Sequence, residues 1–136
     1  MLEMILKNTI KVCNMKKESH GSHPLIDEIK YSIKGSTLLH AIIDCGAILA
    51  GINLKQFSQS VLNILPVEDF GGVLFYDGTD SLDWVVLERS GRCLPKDISP
   101  IQEVDSFVIF DEPRCRGTDL KLRSNAVALL TLAPNL

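Results

Sequence analysis

The sequence predicts an α/β fold: a buried, mostly parallel sheet with flanking helices and a β-hairpin insertion. Three observations predict it. Short continuous apolar runs such as Phe107-Val108-Ile109-Phe110 read as strands covered on both faces. The segment from Leu54 to Leu65 instead repeats its apolar residues at helical spacing. Turn residues separate these segments, so that strand-like and helix-like stretches alternate along the chain. A chain of 136 residues, 46% of them apolar, has room for one small domain with a real core.

Residues 1–23 read as an N-terminal arm and linker. Lys7, Lys11, Lys16 and Lys17 outnumber Glu3 and Glu18 there, and the stretch ends at the helix-hostile Pro24. Leu2, Ile5, Leu6 and Ile10 offer at most a short apolar stripe. A single α/β domain is expected over residues 24–136. Within it, apolar residues at 25, 26, 29 and 33 suit a short helix, broken by Gly35-Ser36-Thr37. Leu38 to Asp44 is an apolar run, either a strand or a short core helix. Asn53 can cap the next helix by accepting from a free backbone N–H, and Leu54, Phe57, Val61, Leu62 and Leu65 carry that helix to Pro66. Val73 to Tyr76 and Trp84 to Glu88 read as the two strands of a hairpin with a six- or seven-residue loop around Asp77-Gly78-Thr79-Asp80. Arg92-Cys93-Leu94 reads as a short third strand. Phe107 to Phe110 and Ala126 to Leu132 are the last two strands. An α/β domain normally lays a helix after such a strand. The expectation is therefore a domain truncated at its C-terminus, with an exposed final strand that a partner chain would cover.

Charge and cysteine usage exclude several classes. The formal net charge of −3 argues against bulk electrostatic binding of nucleic acid. No apolar run approaches the roughly 18 residues of a membrane-spanning helix, so no membrane association is expected. The N-terminus lacks the apolar core of a secretory signal. Cys13, Cys45, Cys93 and Cys115 form no Cys-x-x-Cys pair and suit reduced thiols in an intracellular protein, cytoplasmic rather than nuclear. His20 and His23 sit three apart, but nothing nearby completes a metal site. No metal or cofactor is expected.

Chemistry concentrates in the segment after the apolar run 107–110. Asp111, Glu112, Arg114, Cys115, Arg116, Gly117, Thr118 and Asp119 follow a buried strand, and α/β proteins hold ligands at the carboxyl ends of such strands. Cys115 lies between Arg114 and Arg116, two cations that favour the nucleophilic thiolate. A thiol peptidase also needs a base. His40 is the candidate, with Asp44 to orient it. Cys45 ranks second as nucleophile, because the adjacent Asp44 disfavours its thiolate. Lys34-Gly35-Ser36-Thr37 has phosphate-loop residue types in the wrong order.

Three blocks carry a resemblance: Leu39 to Gly51, Gly72 to Asp77, and Phe107 to Leu122. Together they resemble one region of very large eukaryotic proteins known as ubiquitinyl hydrolases, thiol-dependent deubiquitinating peptidases. The resemblance runs from about Pro24 to Leu136, and Arg114-Cys115-Arg116-Gly117-Thr118-Asp119-Leu120-Lys121-Leu122 is its most specific part. It implies a partial helicase-type second lobe, with Gly117-Thr118-Asp119 similar to the motif that couples nucleotide to nucleic-acid contacts. Many members of that family carry His where this chain has Arg114, and the family has an arginine-rich helix after the position of Leu136. The implied function is hydrolysis at the ubiquitin C-terminus, with ubiquitin or a ubiquitinated protein as partner. The alternative is a catalytically inactive helicase-like lobe acting as a protein-interaction module.

Overall fold

A computed structural model describes residues 9–13, 24–80, 82–111 and 126–131. Its centre is a seven-stranded, mostly parallel sheet: β1 (Thr9–Cys13), β2 (Ala41–Asp44), β3 (Gly72–Asp77), β4 (Asp83–Glu88), β5 (Cys93–Pro95), β6 (Ser106–Phe110) and β7 (Ala128–Thr131). The spatial order is β1-β7-β2-β6-β3-β4-β5. The pairings from β1 through β3 are parallel, and those of β4 with β3 and β5 are antiparallel. The expected α/β fold and hairpin insertion are therefore present. The apolar run before Asp44 is a strand, paired to β6 on one side and β7 on the other.

Among the described residues two α-helices cover one face of the sheet. Helix α1 (Pro24–Lys34) begins on a proline, whose fixed φ suits the first helical position and whose missing N–H would be unpaired there anyway. It buries Leu25, Ile26 and Ile29. It ends in a Schellman closure: Thr37 N–H donates to the Ser32 carbonyl at 2.8 Å and Ser36 N–H to the Ile33 carbonyl at 3.1 Å. Ser36 takes the left-handed position at φ +65°, which glycine usually fills. Helix α2 (Leu54–Ile64) starts as the sequence predicts, with the Asn53 side chain accepting from Gln56 N–H at 3.2 Å. Its other end is held by Arg89. That guanidinium donates to the carbonyls of Leu62 in the last turn, of the C-cap Leu65, and of Pro66 and Phe70 in the segment that follows, at 3.0–3.1 Å.

Strand periodicity then divides the core. Ile42, Val73, Phe75, Val85, Leu87, Phe107, Ile109 and Leu129 point to the helices, against Leu25, Ile29, Phe57, Val61 and Leu62. Ala41, Ile43, Leu74, Val86, Val108, Phe110, Ala128 and Leu130 form a second buried cluster on the opposite face. Burial on both faces is why these strands read as unbroken apolar runs. Where β3 begins, backbone passes so close to β4 that a Cβ on Gly72 would lie 2.6 Å from the Leu87 carbonyl oxygen. The hairpin loop spans residues 78–82, tighter than expected, because Asp77 pairs with Asp83.

Two expectations are corrected. Thr9–Cys13 is not part of a loose arm: it is the edge strand beside β7, drawn in by parallel ladder bonds. The last strand is not exposed. β7 lies between β1 and β2, with Leu129 and Leu130 buried, so it presents no free edge for a partner chain. Among the described residues no helix is long and apolar enough to cross a membrane.

Candidate functional site

Parallel pairing brings the carboxyl ends of β2, β3, β6 and β7 to one edge of the sheet. Asp44, Asp77, Asp111 and Thr131 stand at those ends. The register places Asp44 opposite Thr131 and Ile43 opposite Phe110. β6 lies between β2 and β3 and all five of its residues are buried. It therefore delivers Asp111, and with it the start of the charged segment, to the edge where α/β proteins hold ligands. Cys115, Glu112, Arg114, Arg116, Gly117, Thr118 and Asp119 lie outside the described residues.

Asp44 is fully buried, and its carboxylate is held from three directions. Oδ1 accepts from Ile48 N–H at 2.9 Å and from the Thr131 hydroxyl at 2.6 Å, and Oδ2 accepts from Leu49 N–H at 2.8 Å. The Thr131 oxygen in turn accepts from Gly46 N–H at 3.0 Å. Ala47 adopts φ +55°, a left-handed conformation costing about 1–2 kcal/mol for an L residue. That turn of the backbone lets two successive amides converge on one carboxylate. Charge-assisted bonds of this length repay the strain.

His40 occupies the opposite edge. It is buried, and its Nδ1 accepts from Val127 N–H at 3.2 Å. Its own backbone N–H donates to the Val127 carbonyl at 2.7 Å, and its carbonyl accepts from Val108 N–H at 3.0 Å. The ring stands edge-on to Phe70 at 5.7 Å, and Phe70 to Phe107 at 5.8 Å. His40 thus ties β2 to the strands on either side. The expected orientation of His40 by Asp44 is corrected. Four residues along a strand separate them by roughly 13 Å, and the carboxylate is already bonded to other groups.

Cys45 is half-buried, next to Asp44 and packed against the second apolar cluster. Cys93 lies on β5, where folding brings charge to it. Burial pushes its thiol pKa up, the Lys55 ammonium pulls it down, and the Asp77 carboxylate raises it further. The net displacement is upward, so Cys93 is a poor nucleophile at neutral pH. Lys55 lies in the first turn of α2 and Asp77 ends β3, and the antiparallel β3-β4-β5 pairing carries Cys93 into the same sheet.

An aromatic ladder runs from the carboxyl end of β6 toward the hairpin. Phe110 meets Trp84 at 6.0 Å and Trp84 meets Tyr76 at 5.9 Å, both edge-on. The Tyr76 hydroxyl donates to the Leu82 carbonyl at 3.0 Å. The Asp77 Oδ1 accepts from the N–H and hydroxyl of Thr79 and from Asp80 N–H, which fixes the loop. A cleft of about 280 Å³ lies elsewhere, lined by Val86, Ile101 and Lys96 among others; Lys96 there sits between Asp97 and Glu103 at 3.7 and 3.4 Å. Among the described residues no group of three or more His, Cys, Asp and Glu side chains gathers to hold a metal ion. No protein-family model, curated protein or solved structure matches the chain.

Proposed function

We propose that the chain is a member, or a part of a member, of the ubiquitinyl hydrolases, hydrolysing bonds at the ubiquitin C-terminus with Cys115 as nucleophile. The observation that carries this reading is the placement of Asp111. The fully buried β6 brings it to the carboxyl edge of the parallel sheet, so the segment that begins with it starts where ligands are held. The resemblance of Arg114 to Leu122 to those peptidases supplies the substrate class.

In this reading Arg114 and Arg116 stabilise the Cys115 thiolate. The thiolate attacks the carbonyl carbon at the ubiquitin C-terminus, and the C–N bond to the conjugated amine breaks as that nitrogen takes a proton from a water molecule, leaving the hydroxide that attacks the thioester next. That attack hydrolyses the thioester and restores the thiolate. The Nδ1 lone pair of His40 is already taken up by the Val127 N–H. The activation of Cys115 rests on its flanking cations.

A second reading is favoured by a specific observation. His40 and Asp44, the candidate base and its orienting residue, both hold the sheet together. That is what a catalytically inactive, helicase-like interaction module would do with them. Labelling by ubiquitin bearing a thiol-reactive C-terminal group separates the readings, using wild type, Cys115→Ala and Cys45→Ala. Loss of labelling only in Cys115→Ala supports the peptidase. Loss only in Cys45→Ala moves the nucleophile to the other thiol. A folded wild type that is never labelled leaves the interaction module.

A further inference from the structure

We infer that the connection following β2 is an oxyanion-binding loop whose anion is supplied by the chain itself, which closes this part of the carboxyl edge to phosphate-bearing ligands. Three features carry the inference. The amides of Ile48 and Leu49 point to the two oxygens of one carboxylate, at 2.9 and 2.8 Å. They converge because Ala47 takes a left-handed conformation that L side chains rarely adopt, the backbone form that makes anion-holding concavities elsewhere. A third donor, the Thr131 hydroxyl, arrives from β7 at 2.6 Å. Its oxygen is in turn fixed by Gly46 N–H from the same loop. Two backbone amides and a hydroxyl around a fully buried pair of oxygens form a donor set for a small carboxylate or one edge of a phosphate.

In nucleotide-binding α/β proteins the loop after a parallel strand turns its amides outward to phosphate. Here those amides turn back to Asp44, at the end of the strand they follow. The site is formed and already filled. A phosphate group reaching this loop would have to expel a buried carboxyl group already held by three donors. The inference concerns a different loop from the one that bears Cys115 and stands whether or not that thiol is a nucleophile.

The test is chemical rescue. Asp44→Ala removes the resident anion and leaves the donors. Sodium formate, a carboxylate small enough for the vacated space, should raise the unfolding temperature of Asp44→Ala in a saturable way, relative to sodium chloride at equal ionic strength. The same titration should leave wild type and a core-truncated control, Leu62→Ala, without that specific gain. Equal gain in the control, or none in Asp44→Ala, overturns the inference. Amide NMR of the wild type supplies a measurement independent of any variant's folding. Titration with inorganic phosphate should leave the Ile48 and Leu49 resonances unmoved, and saturable shifts of those two amides would contradict a site filled by Asp44.

Discussion

Replacing Asp44 by Asn tests the carboxyl-edge lock most sharply, because it changes one atom and a charge while keeping the shape. The Asn oxygen can still accept from Ile48 N–H and the Thr131 hydroxyl, in place of Oδ1. The amide nitrogen then faces Leu49 N–H across the 2.8 Å now spanned by Oδ2, donor against donor. One charge-assisted bond is lost and a buried N–H is left unpaired, a cost of about 2–3 kcal/mol. Asp44→Ala removes the acceptor for all three donors and should cost about 3–5 kcal/mol. Thr131→Val removes one bond to the carboxylate and the acceptor for Gly46 N–H, for roughly 1–3 kcal/mol. The three groups share one network, so Asp44→Ala combined with Thr131→Val should cost less than the sum of the two single changes. Urea unfolding followed by tryptophan fluorescence measures this, with Trp84 as the single reporter in the chain. An Asp44→Asn variant within about 0.5 kcal/mol of wild type, the usual range of inconsequential surface changes, would refute the reasoning.

Other perturbations have equally definite outcomes. Arg89→Ala should lower stability by about 2–3 kcal/mol, since four carbonyls, at the end of α2 and in the segment after it, lose a charged donor. Arg89→Lys should recover only part of that in the same urea titration, because an ammonium lacks the planar fork. Ser36→Gly should raise stability by about 0.5–1 kcal/mol by relieving the left-handed serine at the end of α1; a lower thermal midpoint would show that the Schellman closure is misread. Alkylation of Cys93 should titrate above the range of a free thiol, and Lys55→Gln should move it higher still. The native state keeps that proton longer than the unfolded chain. Stability should therefore fall as pH rises through and beyond the ordinary thiol range, and Cys93→Ala should flatten that part of the profile.

Local signals account for what could be read in the sequence. Asn53 and the spacing from Leu54 to Leu65 define α2 with its cap, because a helix bonds within itself. The hairpin and the buried run of β6 were legible for the same reason, from turn residues and unbroken apolar stretches. β1 was not, since five residues among lysines gain their strand only by pairing with β7, more than a hundred residues away. Asp44 shows the corresponding limit at the site. A carboxylate after an apolar run looks the same in sequence whether it orients a base or closes a loop. The difference comes from Thr131, 87 residues on, and from an alanine bent into the left-handed region. Gly46 after an Asp that ends a strand was the one local hint of a turn closing back on that side chain. His40 is a candidate base on residue type alone, whereas the acceptor role of its Nδ1 depends on Val127, brought alongside by β7. Arg89 caps a helix that ended more than twenty residues earlier, a contact no spacing rule foresees.

The proposed activity reduces to one identification, the residue that reacts with a ubiquitin C-terminus. The wild-type chain should be incubated with ubiquitin bearing a thiol-reactive C-terminal group, the adduct digested, and the modified peptide sequenced by mass spectrometry. A single modification on the peptide containing Arg114-Cys115-Arg116 is the expected result. Modification confined to Cys45 or Cys93, or a folded chain that forms no adduct, would contradict a ubiquitin-directed nucleophile at Cys115.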